Sequence, residues 1–183
     1  MANAWRGNGA GFSELFAMRV GAGGVGERTR LAYWNGSAYV YRWEEPMVYG
    51  FITQSTLAGS GASYGGIAGA NPVADSAYPY TVFSSGIVIP PQCPVYSANL
   101  HAEFSHTGGT VPRYGQVRIH VNGNVVVEGN SQSASPGTSI ADTNMDVAPG
   151  DVITCQWRGE GNFFNRPTLS AGAWCRVTPN QRA

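Results

Sequence analysis

Between Tyr96 and Phe104 apolar and polar side chains trade places at every step. Tyr96, Ala98, Leu100, Ala102 and Phe104 fall on one face, and Ser97, Asn99, His101 and Glu103 on the other. A period of two is the mark of a β-strand with one buried face. The alternation returns in DVITCQWR, where Ile153, Cys155 and Trp157 oppose Val152, Thr154 and Gln156. It returns again in LSAGAWCRVTP, which places Leu169, Ala171, Ala173, Cys175 and Val177 on one side. YTVFSSGIVIPP reads as a strand with a glycine break and a proline stop, and MVYGFIT as a further strand.

Turn signals fall between these runs. Asn122-Gly123 separates GQVRIHV from VVVEG, Pro149-Gly150 separates MDV from DVITCQWR, and Asn35-Gly36 separates RTRLAYW from AYVYRW. Asn-Gly pairs suit tight hairpins because both central residues must take positive φ. FSELFAMRV, followed by GAGGVGE, supplies a second amino-terminal hairpin arm. Short strands with no helical period between them predict an all-β chain: a C-terminal antiparallel β-sandwich preceded by a small N-terminal β-hairpin unit. STLAGSGASYGGIAGANPVADS, over 55–76, keeps neither period and carries little side chain to bury, so it reads as a linker or a long loop on other surfaces. The expected division is an N-terminal β docking unit at 1–46, a strand plus Gly/Ala/Ser-rich linker at 47–77, and the sandwich at 78–183; a boundary near residue 46 fits nearly as well.

One hairpin leaves its register open. A two-residue turn at Asn122-Gly123 pairs Val121 with Asn124 and sends Val125 and Val127 to the face of Arg118 and His120, where exposed valines would mark an interface. A three-residue turn sends both valines to the core instead.

The 183 residues are 11% aromatic and only 12% charged, with 25 Gly and 11 Pro. That mixture fits a turn-rich β protein and argues against both a helical bundle and disorder. Lys plus Arg and Asp plus Glu number 11 each, and every basic residue is Arg. A neutral chain has no surplus charge with which to displace phosphate counterions, so nucleic acid and anionic membrane are not expected partners. Membrane insertion is not expected either, since no apolar run approaches the ~20 residues that span a bilayer. The start, MANAWRGNGAG, lacks the charged-then-apolar order of a secretory signal. The expectation is therefore assembly in a reducing cytoplasm, where Cys93, Cys155 and Cys175 remain thiols, although a buried Cys155–Cys175 disulfide is conceivable. Asn35-Gly36-Ser37 doubles as a glycosylation sequon and is read as a turn.

Reactive chemistry is sparse. His101, His106, His120, Glu103 and Glu128 are the candidate catalytic or metal groups. His101 could meet a metal together with His120 if their strands paired, but a closed metal site takes about four ligands and no ligand motif is present. A nucleophile elbow, a phosphate-cradling loop before a helix and a Ser-His-Asp pattern are absent. GAGGVG is not followed by a helix or a βαβ unit. Glycan cleavage needs two acids held about 5–10 Å apart in a cleft; Glu44 and Glu45 would point opposite ways on a strand, and Asp146 and Asp151 flank a turn, where Asp serves the backbone. The expectation is a protein without catalytic residues, cofactor or metal. Contact chemistry is better represented. In RGEGNFFNRP, Phe163 and Phe164 lie between Arg158 and Arg166 and could cap the sandwich, touch a neighbouring subunit or stack on a sugar. Trp174 joins them if the loop packs across it.

GIVIP, YSANLHAEF, VRIHVNGNVVVEG, MDVAPGDVITCQW and LSAGAWCRVTP together resemble the trimeric jelly rolls of the complement and tumour necrosis factor type. The opening WRGNGAGFSELFAMRV and the YWNGSAYV hairpin resemble small minor tail proteins of phages that infect actinobacteria. The resemblance implies a virion component: a tail or tail-tip protein, homotrimeric through its jelly roll and docked to other tail proteins by its N-terminal unit. A capsid decoration or head-fibre protein, or a receptor-binding head that recognises a host cell-wall glycan, are the alternatives.

Overall fold

The computed structural model describes residues 4–5, 15–20, 28–34, 39–44, 46–109, 113–161 and 165–180. Its first strands are β1 (Ala4–Trp5), β2 (Leu15–Val20), β3 (Arg28–Trp34) and β4 (Tyr39–Glu44). They form an antiparallel four-stranded sheet in chain order. The pairing of β3 with β4 starts at Trp34 and Tyr39, on either side of the Asn35-Gly36 signal.

The next strands are β5 (Tyr49–Thr53), β6 (Leu57–Ala58), β7 (Gly65–Gly66), β8 (Pro72–Ala74), β9 (Val82–Phe83), β10 (Ile87–Val88) and β11 (Tyr96–Gly108). They are followed by β12 (Tyr114–Val121), β13 (Asn124–Glu128), β14 (Gly137–Val147), β15 (Val152–Glu160), β16 (Pro167–Leu169) and β17 (Trp174–Pro179). In the first sheet β14, β11, β17, β5 and β8 lie side by side, with β16 and β6 beside the far end of β11. In the second the order is β13-β12-β15-β10-β9, with β7 beside the far end of β15. The long strands exchange sheets along the chain, and spatial neighbours such as β11 and β14, or β12 and β15, are not consecutive. Such crossing connections are those of a jelly-roll sandwich.

The alternation read from the sequence is what the sheets close over. Ala98, Leu100, Ala102 and Phe104 from β11 meet Ile153, Cys155 and Trp157 from β15, all buried. Val117 and Ile119, Tyr49 and Phe51, and Cys175 and Val177 complete the layer, and Tyr96 packs partly buried against it. Each fully buried Leu, Ile or Phe contributes about 1.5–3 kcal/mol relative to exposure. Ala171 leaves the expected pattern: it is exposed in a turn with Gly172 at φ 86°, which divides the expected run into β16 and β17.

The Asn122-Gly123 hairpin resolves both of its registers at once. Asn122 and Gly123 have φ 52° and 81°, and Val121 pairs with Asn124 as a two-residue turn requires. A bulge then intervenes between Ile119 and His120. Val125 stays opposite His120 and is 45% exposed, whereas Val127 lies opposite Ile119 and packs against the core. One inserted residue thus sends the two valines to opposite faces.

Of the two readings of 55–76, a linker or a long loop on other surfaces, the strand pairing favours the second. β5 and β8 extend the first sheet, β6 pairs with β16, and β7 pairs with β15 in the second sheet, so the segment laces both sheets together. Backbone hydrogen bonding holds it where side chains are too small to do so: Gly59 N–H donates to Pro167 O at 2.9 Å and Gly61 N–H to Gly159 O at 3.1 Å. The crossing requires glycine, because a Cβ on Gly59 would stand 2.2 Å from Gly159 O. The first strand of the sandwich therefore begins at Tyr49, which agrees better with a boundary near residue 46 than with one at 78.

Gly59→Ala should lower the stability of the fold by about 2–4 kcal/mol in urea unfolding. Gly66→Ala, where an added Cβ meets nothing within 4 Å, should cost under about 1 kcal/mol. Equal and small effects at both positions would show that the segment is not integrated.

Candidate functional site

Strands β14, β11, β17 and β5 are neighbours, so outward-pointing residues form rows across them. In one row Asp142 and Arg176 flank His101, and Arg176 faces Gly50. In the next, Ile140 and Trp174 flank Glu103, and Trp174 faces Ile52. His101 Nε2 lies 3.1 Å from Glu103 Oε1, and its Nδ1 lies 3.3 Å from Asp142 Oδ1. Asn99 donates from Nδ2 to the same Asp142 oxygen at 2.6 Å. The imidazole is thus held between two carboxylates, one from its own strand β11 and one from β14.

Trp174 completes the patch. Its indole stacks on His101 with ring centroids 5.2 Å apart and an 18° tilt, and the Arg176 guanidinium carbon lies 3.9 Å from the Trp174 ring centroid. Arg176 also lies 5.2 Å from the centre of Tyr78. Tyr78 can lie on the sheet because residue 50 is glycine; a Cβ there would come within 2.8 Å of its ring. Carboxylates, a guanidinium and an indole held on a flat sheet suit contact with a polar, ring-bearing partner.

The other outer face carries a second polar cluster. Arg118 donates through Nε and Nη2 to Gln156 Oε1, pairs with Glu128 at 3.6 Å, and places its guanidinium carbon 4.1 Å from the centre of the Tyr64 ring. Arg158 donates to Glu160, and this hydrogen bond is the main reason its guanidinium titrates above its ordinary range. Burial pushes the Tyr64 phenol up. Tyr64 thereby pins the Gly-rich segment onto β12 and β15.

These positions separate the contact residues expected from sequence. Arg158 points outward from the second sheet and Trp174 outward from the first, so the two stand on opposite faces of the sandwich. Arg166 approaches the Gly-rich segment instead, with Nη1 3.4 Å from Gly59 O. Phe163 and Phe164 lie outside the described residues. His101 and His120 do not share a sheet, because β11 belongs to the first and β12 to the second, so the conceivable metal pairing on adjacent strands does not form. His120 directs Nδ1 at Gly123 O, 3.0 Å away. Among the described residues no group of three His, Cys, Asp or Glu side chains could hold a metal ion. Asp151 serves the backbone, as its turn position suggested: one carboxylate oxygen accepts from Ala148 N–H at 2.7 Å and the other from Asn122 Nδ2 at 2.7 Å. The outer-face patch as a whole was not legible beforehand. His101 and Glu103 were recognisable as companions two residues apart, but Asp142, Trp174, Arg176 and Tyr78 join them only through strand order and register.

His106 is the least expected of the histidines. It sits at the end of β11, fully buried, against Trp157 at 5.5 Å between ring centroids. Neither ring nitrogen has a hydrogen-bond partner. Gly115 and Gly137 make its space: a Cβ at Gly115 would fall 2.3 Å from the imidazole. Burial, and secondarily the charge of Arg113, hold its pKa below the ordinary 6.5.

No family model matches the sequence, and no curated protein matches it. Among solved structures, the chain is similar to Eiger TNF from S. frugiperda, with a TM-score of 0.52 at 8% identity, covering 74% of this chain and 93% of that one. At that identity the likeness concerns the fold: the sandwich is a jelly roll of the tumour necrosis factor type. No helix among the described residues is long and apolar enough to cross a membrane.

The unfolded chain binds a proton at His106 more readily than the folded one, so His106 favours folding above pH 6.5 and this contribution declines as pH falls below it toward the lower folded pKa. Stability measured by urea unfolding should fall as the pH drops below 6.5, and His106→Leu should flatten that part of the profile. An unchanged slope in the variant would assign the dependence elsewhere.

Proposed function

We propose that this chain is a structural component of a bacteriophage virion, a minor tail or tail-tip protein that associates as a homotrimer through its jelly roll and docks onto other tail proteins by residues 1–46. The observation that carries the reading is the coincidence of two features in one chain: the jelly-roll sandwich, and an N-terminal stretch resembling minor tail proteins of phages that infect actinobacteria. The resembled jelly rolls are trimeric modules. Composition supports an assembly role, because interfaces are enriched in aromatic residues and Arg and depleted in Lys, and the chain uses Arg alone for its positive charge. The action is association: apolar surface leaves water at the subunit seam at about 25 cal/mol per Å². No catalytic step, cofactor, nucleic acid or membrane insertion enters this reading.

A receptor-binding role at the host surface has one specific feature in its favour. The Trp174 patch joins an indole to five polar side chains, Asn99, His101, Glu103, Asp142 and Arg176, on a sheet face. Sugar recognition uses this combination of a flat apolar ring and hydrogen-bonding groups.

Sedimentation equilibrium at micromolar concentration should give a species of three chains, and antibody labelling of intact particles should place the protein on the tail. A stable monomer both alone and with its tail partners would overturn the trimer, and label confined to the capsid would favour the decoration or head-fibre alternative. Trp174→Ala should leave particle assembly intact; a loss of binding to host wall fragments of about tenfold or more would assign the patch to the receptor.

A further inference from the structure

Two turns meet at one end of the sandwich. The Asn122-Gly123 turn joins β12 to β13, and the Ala148-Pro149-Gly150-Asp151 turn joins β14 to β15. Asn122 is tied to the second turn through backbone and side chain alike. Its N–H donates to Val152 O at 2.9 Å, its Oδ1 accepts from Val152 N–H at 2.9 Å, and its Nδ2 donates to Asp151 Oδ1 at 2.7 Å. The other Asp151 oxygen accepts from Ala148 N–H at 2.7 Å. His120 Nδ1 lies 3.0 Å from Gly123 O and ties the turn back to its own strand. Both polar atoms of the Asn122 side chain are therefore engaged, although the residue is exposed to water.

We propose that Asn122 is a latent deamidation site, held unreactive by its bonds to Asp151 and Val152 and converted to aspartate or isoaspartate when they open. The following residue makes the reaction possible, because glycine has no side chain to shield its backbone nitrogen. In the first step the Gly123 nitrogen gives up its hydrogen and attacks Asn122 Cγ. The new C–N bond closes a five-membered imide, the bond from Cγ to Nδ2 breaks, and ammonia leaves with the proton. Water then adds to one of the two imide carbonyls and reopens the ring, giving aspartate from one and isoaspartate from the other. One water is consumed, one ammonia is released, and no oxidant or reductant takes part.

Ring closure requires the side-chain amide to turn onto the Gly123 nitrogen, and an amide clasped to the neighbouring turn is not free to do so. A hydrogen bond to a carboxylate is roughly twice as strong as a neutral one, so Asp151 is the principal restraint. Conversion undoes the joint. Aspartate at position 122 sets a second carboxylate against Asp151, where an N–H···O bond of 2.7 Å now stands. Isoaspartate routes the main chain through the former side chain and adds a carbon to the backbone. A two-residue turn that pairs Val121 with Asn124 has no room for that addition in its present register.

The test follows the full-length protein in mildly alkaline buffer. Conversion raises the mass by one unit, and peptide mapping separates the three Asn-Gly pairs at 8–9, 35–36 and 122–123. Asn122 should convert about tenfold or more slowly in the folded protein than in the urea-unfolded chain, and Asp151→Ala should remove most of that protection. Because Asp151→Ala also frees the Ala148 N–H, its rate is read at several urea concentrations below its unfolding midpoint. A flat rate marks local opening of the clasp, and a rate that climbs with urea marks global unfolding. Asn122→Asp should lower the thermal midpoint by roughly 2–8 °C. Adding Asp151→Asn should restore most of that loss, because the amide and the carboxylate have then exchanged places. Equal rates in folded and unfolded protein, no acceleration in Asp151→Ala, a rate that climbs with urea, an unchanged midpoint in Asn122→Asp, or no rescue in the double variant would each overturn the proposal.

Discussion

Two sheets can approach to about 10 Å only if large side chains from one find small ones opposite. Here Trp157, Phe104, Tyr49 and Phe51 are interleaved with Ala98, Ala102, Gly115 and Gly159. The Trp157 indole would collide with a Cβ at Gly115, 2.6 Å away, and its nitrogen would lie 3.0 Å from one at Gly159. Gly115 stands on β12 and Gly159 on β15, so the indole takes its room from its own sheet, and the same glycine at 115 admits the imidazole of His106 from the first sheet.

The outward faces follow from the same constraint. Once alternate residues are committed to the core, the remainder must stand in rows on the outside, and both faces fill with hydrogen-bonded and ring-stacked polar groups. The first face gathers Asn99, His101, Glu103, Asp142, Trp174 and Arg176, and the second gathers Arg118, Glu128, Gln156, Arg158 and Glu160 under Tyr64. These groups are individually ordinary and their exposed ion pairs add little stability. Their significance lies in arrangement: a rigid sheet holds them in fixed relative positions, as recognition requires.

The Gly-rich segment shows how the composition rule for linkers can mislead. Low side-chain content in residues 55–76 fits either a linker or a long loop on other surfaces. In the fold, smallness is what admits the segment, because the backbones of Gly59 and Gly159 cross at a separation no side chain would permit. Backbone hydrogen bonds then replace apolar burial as the cohesive term.

The amino-acid sequence by itself marked the long strands of the sandwich and the faces they bury. The period of two marked β11 and β15 and their buried faces, and the Asn-Gly and Pro-Gly pairs marked the turns, because both signals depend only on local backbone geometry. Tertiary structure alone decided which strands are neighbours, how they are registered and what meets across the core. The bulge that divides Val125 from Val127, the separation of Arg158 from Trp174 and the meeting of Asp142, His101 and Arg176 all belong to that level. Such contacts join residues far apart in the chain, and their partners are chosen by competition among all strands for the same edges, a choice that no local pattern encodes.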